Sequence, residues 1–375
     1  MTEVPTGGAP GDARAWWNAL GDGDRDRLLA ERPADVGGLD GLPSAVRDRA
    51  NRAVLAAHIA RTGDPGARAL LTEIGGPDTD PRDRALLLLF RPPSAPDATD
   101  GQLAVAFGDP DRAANVNVLV PGTGNNTRDQ RYLVPGMDIS RRMRRRADTV
   151  TGAPGSTATV YWLGYKTPDR IVPDALGEEL ARRGHPALTR FLHGLRAARA
   201  DGPPAWQTVY ARSYGAVLLG HALSATPGFP ADAVLVSGAP GMGRHVQSVR
   251  DLHIDPDRFF AAGSPIDPIV YTPAAVHGAN PAAPSFGGRR VDSGRIGHHA
   301  YAREDAASYI SAVYLVCNLL DRVAAPAERG IGRPARLGEW WGAAAGRPVR
   351  ADRDAAADGR GHGRGSPRPE RRSRH

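Results

Sequence analysis

The sequence predicts an α/β architecture, a mostly parallel sheet covered by helices on both faces. Three observations predict it. Short apolar runs at residues 86–90, 103–107 and 116–120 are each bounded by Gly, Pro, Asp or Asn, as buried strands are. Further runs at 159–163, 206–210, 233–236 and 259–262 alternate with stretches of helical spacing. In one of those stretches Leu188, Phe191, Leu192 and Leu195 fall at i, i+3, i+4 and i+7, a single helix face.

Taken in order, residues 1–14 are rich in Gly and Pro and read as a flexible N-terminus. Residues 15–80 read as a helical N-terminal region. Trp16, Trp17 and Leu20 form one apolar group and Leu28 with Leu29 a second, and a third runs from Val46 through Val54, Leu55, Ala57 and Ile59. Gly37-Gly38 and Gly41 with Pro43 punctuate the pattern. Residues 81–323 carry the alternating strands and helices. The run at 259–262 reads as the last strand, and a helix around 303–321 closes the domain. From residue 324 the apolar content falls, apart from Trp340-Trp341, and residues 324–375 read as a disordered basic tail.

Hydrophobic residues at 41% and charged residues at 24% are an ordinary globular balance and exclude a disordered or fibrous chain. The net charge of +7 raises a nucleic-acid reading, which its distribution opposes. Arg360, Arg364, Arg368, Arg371, Arg372 and Arg374 lie in the last sixteen residues, and without them and Asp358 and Glu370 the charge falls to about +3. The single cysteine, Cys317, excludes an intramolecular disulfide framework. Its neighbours Tyr309, Ile310, Val313, Tyr314 and Leu320 follow helical spacing, so it reads as a small buried hydrophobe. No signal peptide or membrane-spanning run is visible, and a cytoplasmic location is expected.

The chemistry centres on Val209-Tyr210-Ala211-Arg212-Ser213-Tyr214-Gly215. Ser213 stands where the strand at 206–210 meets a helix at 214–224, the context of a nucleophile elbow in an α/β-hydrolase fold. That turn is tight enough to require small residues two before and two after the serine, here Ala211 and Gly215. The usual pattern has glycine at both places, so Ala211 departs from it by one methyl group. A helix-capping serine is the competing reading. The helix N-terminus would favour developing negative charge, and the Tyr214 N–H would be one oxyanion donor.

Upstream, the strand at 116–120 runs into Pro121-Gly122-Thr123-Gly124-Asn125-Asn126-Thr127, a turn suited to the second oxyanion donor, from Thr123 or Gly124. A phosphate loop is excluded because no Lys-Ser/Thr pair follows the glycines. A serine needs a base, and the base's imidazolium a carboxylate, in the chain order Ser, acid, His. Asp267 follows the 259–262 strand between Pro265 and Pro268 and is the expected acid. Asp255 and Asp257 precede that strand, and Asp292 follows none. His298 directly before the last helix is preferred as base, with His299 and then His277 behind it. Arg212, Gly122 and Gly124 are the expected substrate-facing residues, though Arg212 also fits an ordinary surface position.

The chain resembles the α/β-hydrolase family catalogued as domain of unknown function 1023. The resemblance runs from about residue 15 to 320. It rests on Trp16-Trp17, on Gly41-Leu42-Pro43-Ser44-Ala45-Val46-Arg47-Asp48-Arg49-Ala50-Asn51 and on Val120-Pro121-Gly122-Thr123-Gly124. Trp162-Leu163-Gly164-Tyr165, Ser213-Tyr214-Gly215, Gly238-Ala239-Pro240-Gly241, His277-Gly278, Pro284-Ser285-Phe286-Gly287 and Gly297-His298 continue it. By position the resemblance implies Ser213 as nucleophile, Asp267 as acid and His298 as base. Members read Gly-His-Ser-Tyr-Gly at the elbow, where this chain reads Ala211-Arg212-Ser213-Tyr214-Gly215.

The expectation is a serine hydrolase cleaving an ester, thioester or amide through an acyl-enzyme. Its partner is a small acyl substrate and not a nucleic acid, and the chemistry requires no metal or cofactor. The rival is a catalytically impaired hydrolase-fold protein used for binding or as a scaffold. Convergence of Ser213, His298 and Asp267 in space discriminates the two. Transfer to an acceptor other than water would use the same site.

Overall fold

A computed structural model describes residues 3–76, 84–93, 100–199 and 202–325; the expected tail from 326 onward lies outside them. Eight strands form one sheet: β1 (Ala85–Arg91), β2 (Gln102–Phe107), β3 (Asn115–Val120), β4 (Thr157–Leu163), β5 (Trp206–Arg212), β6 (Ala233–Ser237), β7 (Phe259–Ala262) and β8 (Arg289–Val291). Their order across the sheet is β1-β2-β4-β3-β5-β6-β7-β8. Only β1 and β2 run antiparallel to their neighbours, and every pair from β4 to β8 is parallel.

The interior strands alternate between two cores, as the two-residue period of a sheet buried on both sides requires. Val118, Val120, Val209, Ala211, Val234, Val236 and Phe259 face one core. There they meet α7 (Glu179–Ala198) and α8 (Gly215–Ala225). Leu119, Tyr210, Leu235 and Phe260 face the other, against α5 (Pro65–Ile74), α6 (Gln130–Thr151) and α10 (Ala307–Val316). A four-residue helix, α9 (Ala274–His277), lies in the loop between β7 and β8.

Ahead of the sheet, α1 (Pro10–Ala19), α2 (Asp22–Glu31), α3 (Pro33–Gly37) and α4 (Ser44–Thr62) enclose a small core of their own around Trp17, Leu28, Leu29, Val36 and Leu42. Buried polar side chains of α4 join this layer to the edge strand. Asn51 donates to Gly37 O and Leu87 O, both at 3.1 Å, and accepts the Phe90 N–H at 3.2 Å. Asp48 accepts the Leu87 N–H at 2.7 Å. Three backbone groups of β1 are thereby satisfied, which helps protect the open edge of the sheet. On the α7 side, Arg47 pairs with Asp40 at 3.0 Å and lies over the Phe191 ring.

Three details depart from the sequence reading. The first helix begins at Pro10, and Val4 is buried, so ordered structure starts well before residue 15. The last strand is β8, not β7: Arg289-Arg290-Val291 has one apolar residue and lacks the composition of a strand, yet it pairs in parallel along β7. The closing helix is shorter than 303–321, because Asn318 adopts a left-handed backbone with φ 57° just past its end. Among the described residues, no helix is long and apolar enough to cross a membrane.

Candidate active site

The turn from β5 into α8 puts Ser213 in a left-handed backbone, φ 52°, a conformation that costs a non-glycine residue energy and is kept where the surroundings impose it. Its N–H donates to Ser237 O at 3.0 Å. Close packing explains the small neighbours. A Cβ on Gly215 would come within 2.7 Å of Val120 O. One on Gly122 would sit 2.8 Å from both Arg212 O and the Ser213 Cβ. Ala211 is fully buried, and its single methyl group is accommodated in the core.

His298 lies in a helical turn, residues His298–Ala302, and meets Ser213. Its Nε2 is 3.0 Å from Ser213 Oγ, and its Nδ1 is 2.9 Å from Asp267 Oδ2. A carboxylate beside Nδ1 favours the tautomer that donates from Nδ1, which leaves Nε2 to accept the serine hydroxyl. Asp267 has no solvent exposure. Its Oδ1 accepts the Ile269 N–H at 2.9 Å, and its Oδ2 also accepts the Tyr301 hydroxyl at 2.9 Å. Tyr301 in turn accepts the Ser264 N–H at 2.8 Å. Burial, reinforced by the Asp267 charge, pushes the Tyr301 hydroxyl far above its ordinary pKa, so it stays a donor.

Two residues here were given no role by the sequence reading. Tyr301 falls three positions after His298, on the same side of the turn, and that spacing was its only local signal. Gly238, at the end of β6, leaves room for the pair: a Cβ there would lie 3.0 Å from His298 Nδ1 and 3.1 Å from Asp267 Oδ2.

The Pro121–Thr127 loop stands against the elbow. The Gly124 N–H donates to Pro168 O at 2.8 Å, so it is spent on the segment that follows β4. The N–H groups of Thr123 and Tyr214 donate to no acceptor among the described residues. Asn125 holds the loop by donating to Gly122 O at 3.0 Å and accepting the Tyr161 hydroxyl at 3.0 Å.

A cavity of about 310 Å³ opens over Ser213 and His298, walled by Gly122, Thr123, Ile139, Tyr161, Ile171 and Arg212 among others. Arg212 is half-buried there, its Nε has no hydrogen-bond partner, and no carboxylate among the described residues pairs with it. Exposed His299 lies at the same cavity, with its ring edge against His298. His277 is elsewhere: buried, 2.6 Å from Ala175 O through Nε2, and edge-on to the Tyr214 ring. Asp255 and Asp292 cap local turns. Cys317 is buried, and burial pushes its thiol up to about 11.

Residues 97–277 match the family model described as alpha/beta hydrolase. The matched stretch contains the elbow loop, Ser213 and Asp267, and the sheet order and parallel register extend it in both directions. This is the α/β-hydrolase fold. Two relatives, both named as uncharacterised proteins, come from Mycobacterium tuberculosis strains CDC 1551 / Oshkosh and ATCC 25618 / H37Rv. Each is 29% identical over 296 residues, covering 71% of this chain and 44% of the relative. The chain therefore spans less than half the length of the curated relatives it matches. Among solved structures, the chain is similar to esterase PE8, at 18% identity and TM-score 0.40, over 57% of this chain and 97% of that one. It is also similar to the LpqC poly(3-hydroxybutyrate) depolymerase from Bordetella parapertussis, at 17% identity and TM-score 0.37, over 64% and 93%.

Proposed function

We propose that this chain is a serine hydrolase that cleaves an ester, thioester or amide through an acyl-enzyme, and that it is a member of the domain-of-unknown-function-1023 family it resembles. One observation carries the reading: an unbroken line of contacts from Ser213 Oγ through His298 to buried Asp267, opening on a cavity. In the proposed mechanism His298 takes the Ser213 proton as the hydroxyl attacks the acyl carbonyl, and Asp267 stabilises the imidazolium that forms. The N–H groups of Tyr214 and Thr123 hold the oxyanion, each donor of this kind lowering the barrier by about 3–4 kcal/mol. His298 then protonates the leaving group and activates water for deacylation. Arg212, Gly122 and Gly124 face the substrate, Arg212 bringing a positive charge to it.

The test is labelling of the folded chain with a fluorophosphonate probe. Wild type is expected to label at Ser213, and Ser213→Ala to lose both the label and about 10,000-fold or more of any esterase turnover. Equal labelling of the two proteins would refute the mechanism and leave the binding or scaffold role.

A further inference from the structure

Away from Ser213, three side chains from three separate elements converge. Glu178 immediately precedes α7, His221 lies within α8, and His245 lies in the loop after β6. One ligand-competent atom of each falls within 4.8 Å of the others. The sequence reading assigned no metal ligands, because these residues are far apart in the chain and no short ligand spacing links them.

The local geometry suits a cation better than it suits an ion-pair cluster. The Glu178 carboxylate is oriented through Oε1, which accepts the Arg244 N–H at 2.7 Å and lies 3.4 Å from His277 Nδ1. That leaves Oε2, 3.3 Å from His221 Nε2 but poorly aligned with it, so this buried nitrogen has no hydrogen-bond partner. The Nδ1 of His185, whose ring stacks on His221, is also buried without one. Buried nitrogens left unpaired are costly unless something outside the protein satisfies them. Gly243 supplies space, since a Cβ on it would lie 2.8 Å from His245 Cε1 and 3.6 Å from His221 Nε2.

We propose that Glu178, His221 and His245 bind a divalent transition-metal ion, zinc by the nature of two imidazoles and a carboxylate, with water completing four-coordination. The ion would join three elements while keeping one open position for water. Glu178 ends the segment that carries Ile171, Ala175 and Leu176, which line a small cavity beside Ser213, and the Tyr214 hydroxyl donates to Gly177 O. An ion here ties that segment to α8 and the β6 loop. The site goes beyond the hydrolase reading and stands whether or not Ser213 is a nucleophile.

The experiment titrates the full chain, stripped with chelator, with Co2+ and then Zn2+. Wild type is expected to develop the intense visible absorption of four-coordinate cobalt at one equivalent, to lose it on zinc addition, and to melt at a higher temperature with zinc. Replacement of exposed His245 by alanine, or Glu178→Gln, abolishes the absorption and weakens zinc binding by at least about tenfold. His193→Ala, an exposed histidine of α7, changes neither. Absence of four-coordinate absorption in wild type, or its survival in both ligand variants, overturns the proposal.

Discussion

The hydroxyl of Tyr301 shows how one buried group holds another in place. It donates to the carboxylate oxygen that faces His298 and accepts from a backbone N–H, so a single atom closes two bonds with no water between. Hydrogen bonds to a charged group contribute about 1.5–3 kcal/mol. If Asp267 orients the base, part of that energy is expressed only when the imidazolium forms. Tyr301→Phe is therefore expected to lower kcat about 10- to 100-fold with KM little changed, and to cost about 1–3 kcal/mol of stability from the orphaned Ser264 N–H. Steady-state kinetics beside urea denaturation checks both, and a kcat within twofold of wild type would leave Tyr301 a purely structural residue. Neither Tyr301 nor Gly238 showed its role in the sequence, because their contacts to Asp267 and His298 depend on where distant loops meet. Ser213 was legible because an elbow is local: a strand, a helix and two small residues within seven positions announce it. That the Gly124 N–H is already engaged was not legible, since only the fold brings Pro168 O to it.

At the level of elements, apolar runs placed seven of the strands to within one or two residues, since strands buried on both faces must be continuously apolar. β8 escaped because an edge strand of three residues needs no such composition; Arg289 covers the Phe260 ring with its guanidinium instead. The helical region before the sheet was legible as helices, but its union with β1 was not. That union depends on polar side chains buried on α4, which hydrophobic periodicity does not register. Asn51 is the test case. It serves three backbone groups, and truncation would strand all of them in a site without solvent. Asn51→Ala is expected to destabilise the protein by about 2 kcal/mol or more, each orphaned buried group costing about 1–3 kcal/mol before relaxation. A urea midpoint unchanged from wild type would mean that α4 is joined to the sheet by its apolar contacts alone.

For the whole molecule, the arginines are concentrated toward one end of the chain. Residues 326–375 carry twelve arginines against six acidic residues, so the remainder of the chain is close to neutral. The last anchors of the described chain lie just before that stretch: Val323 is buried, and the Ala324 carbonyl accepts the Asp292 N–H at 2.9 Å. A chain ending at Ala325 keeps both contacts and every described residue that lines the Ser213 cavity. It is expected to melt at the same temperature as the full chain and to label equally with fluorophosphonate. Any retention of the full chain on immobilised DNA should fall steeply with salt, since it would come from counterion release by clustered arginines, and the shortened chain should pass through. Equal retention of both forms to the same salt concentration would place a nucleic-acid surface on the folded body. In that event a basic face, and not an acyl pocket, would be the feature requiring an explanation.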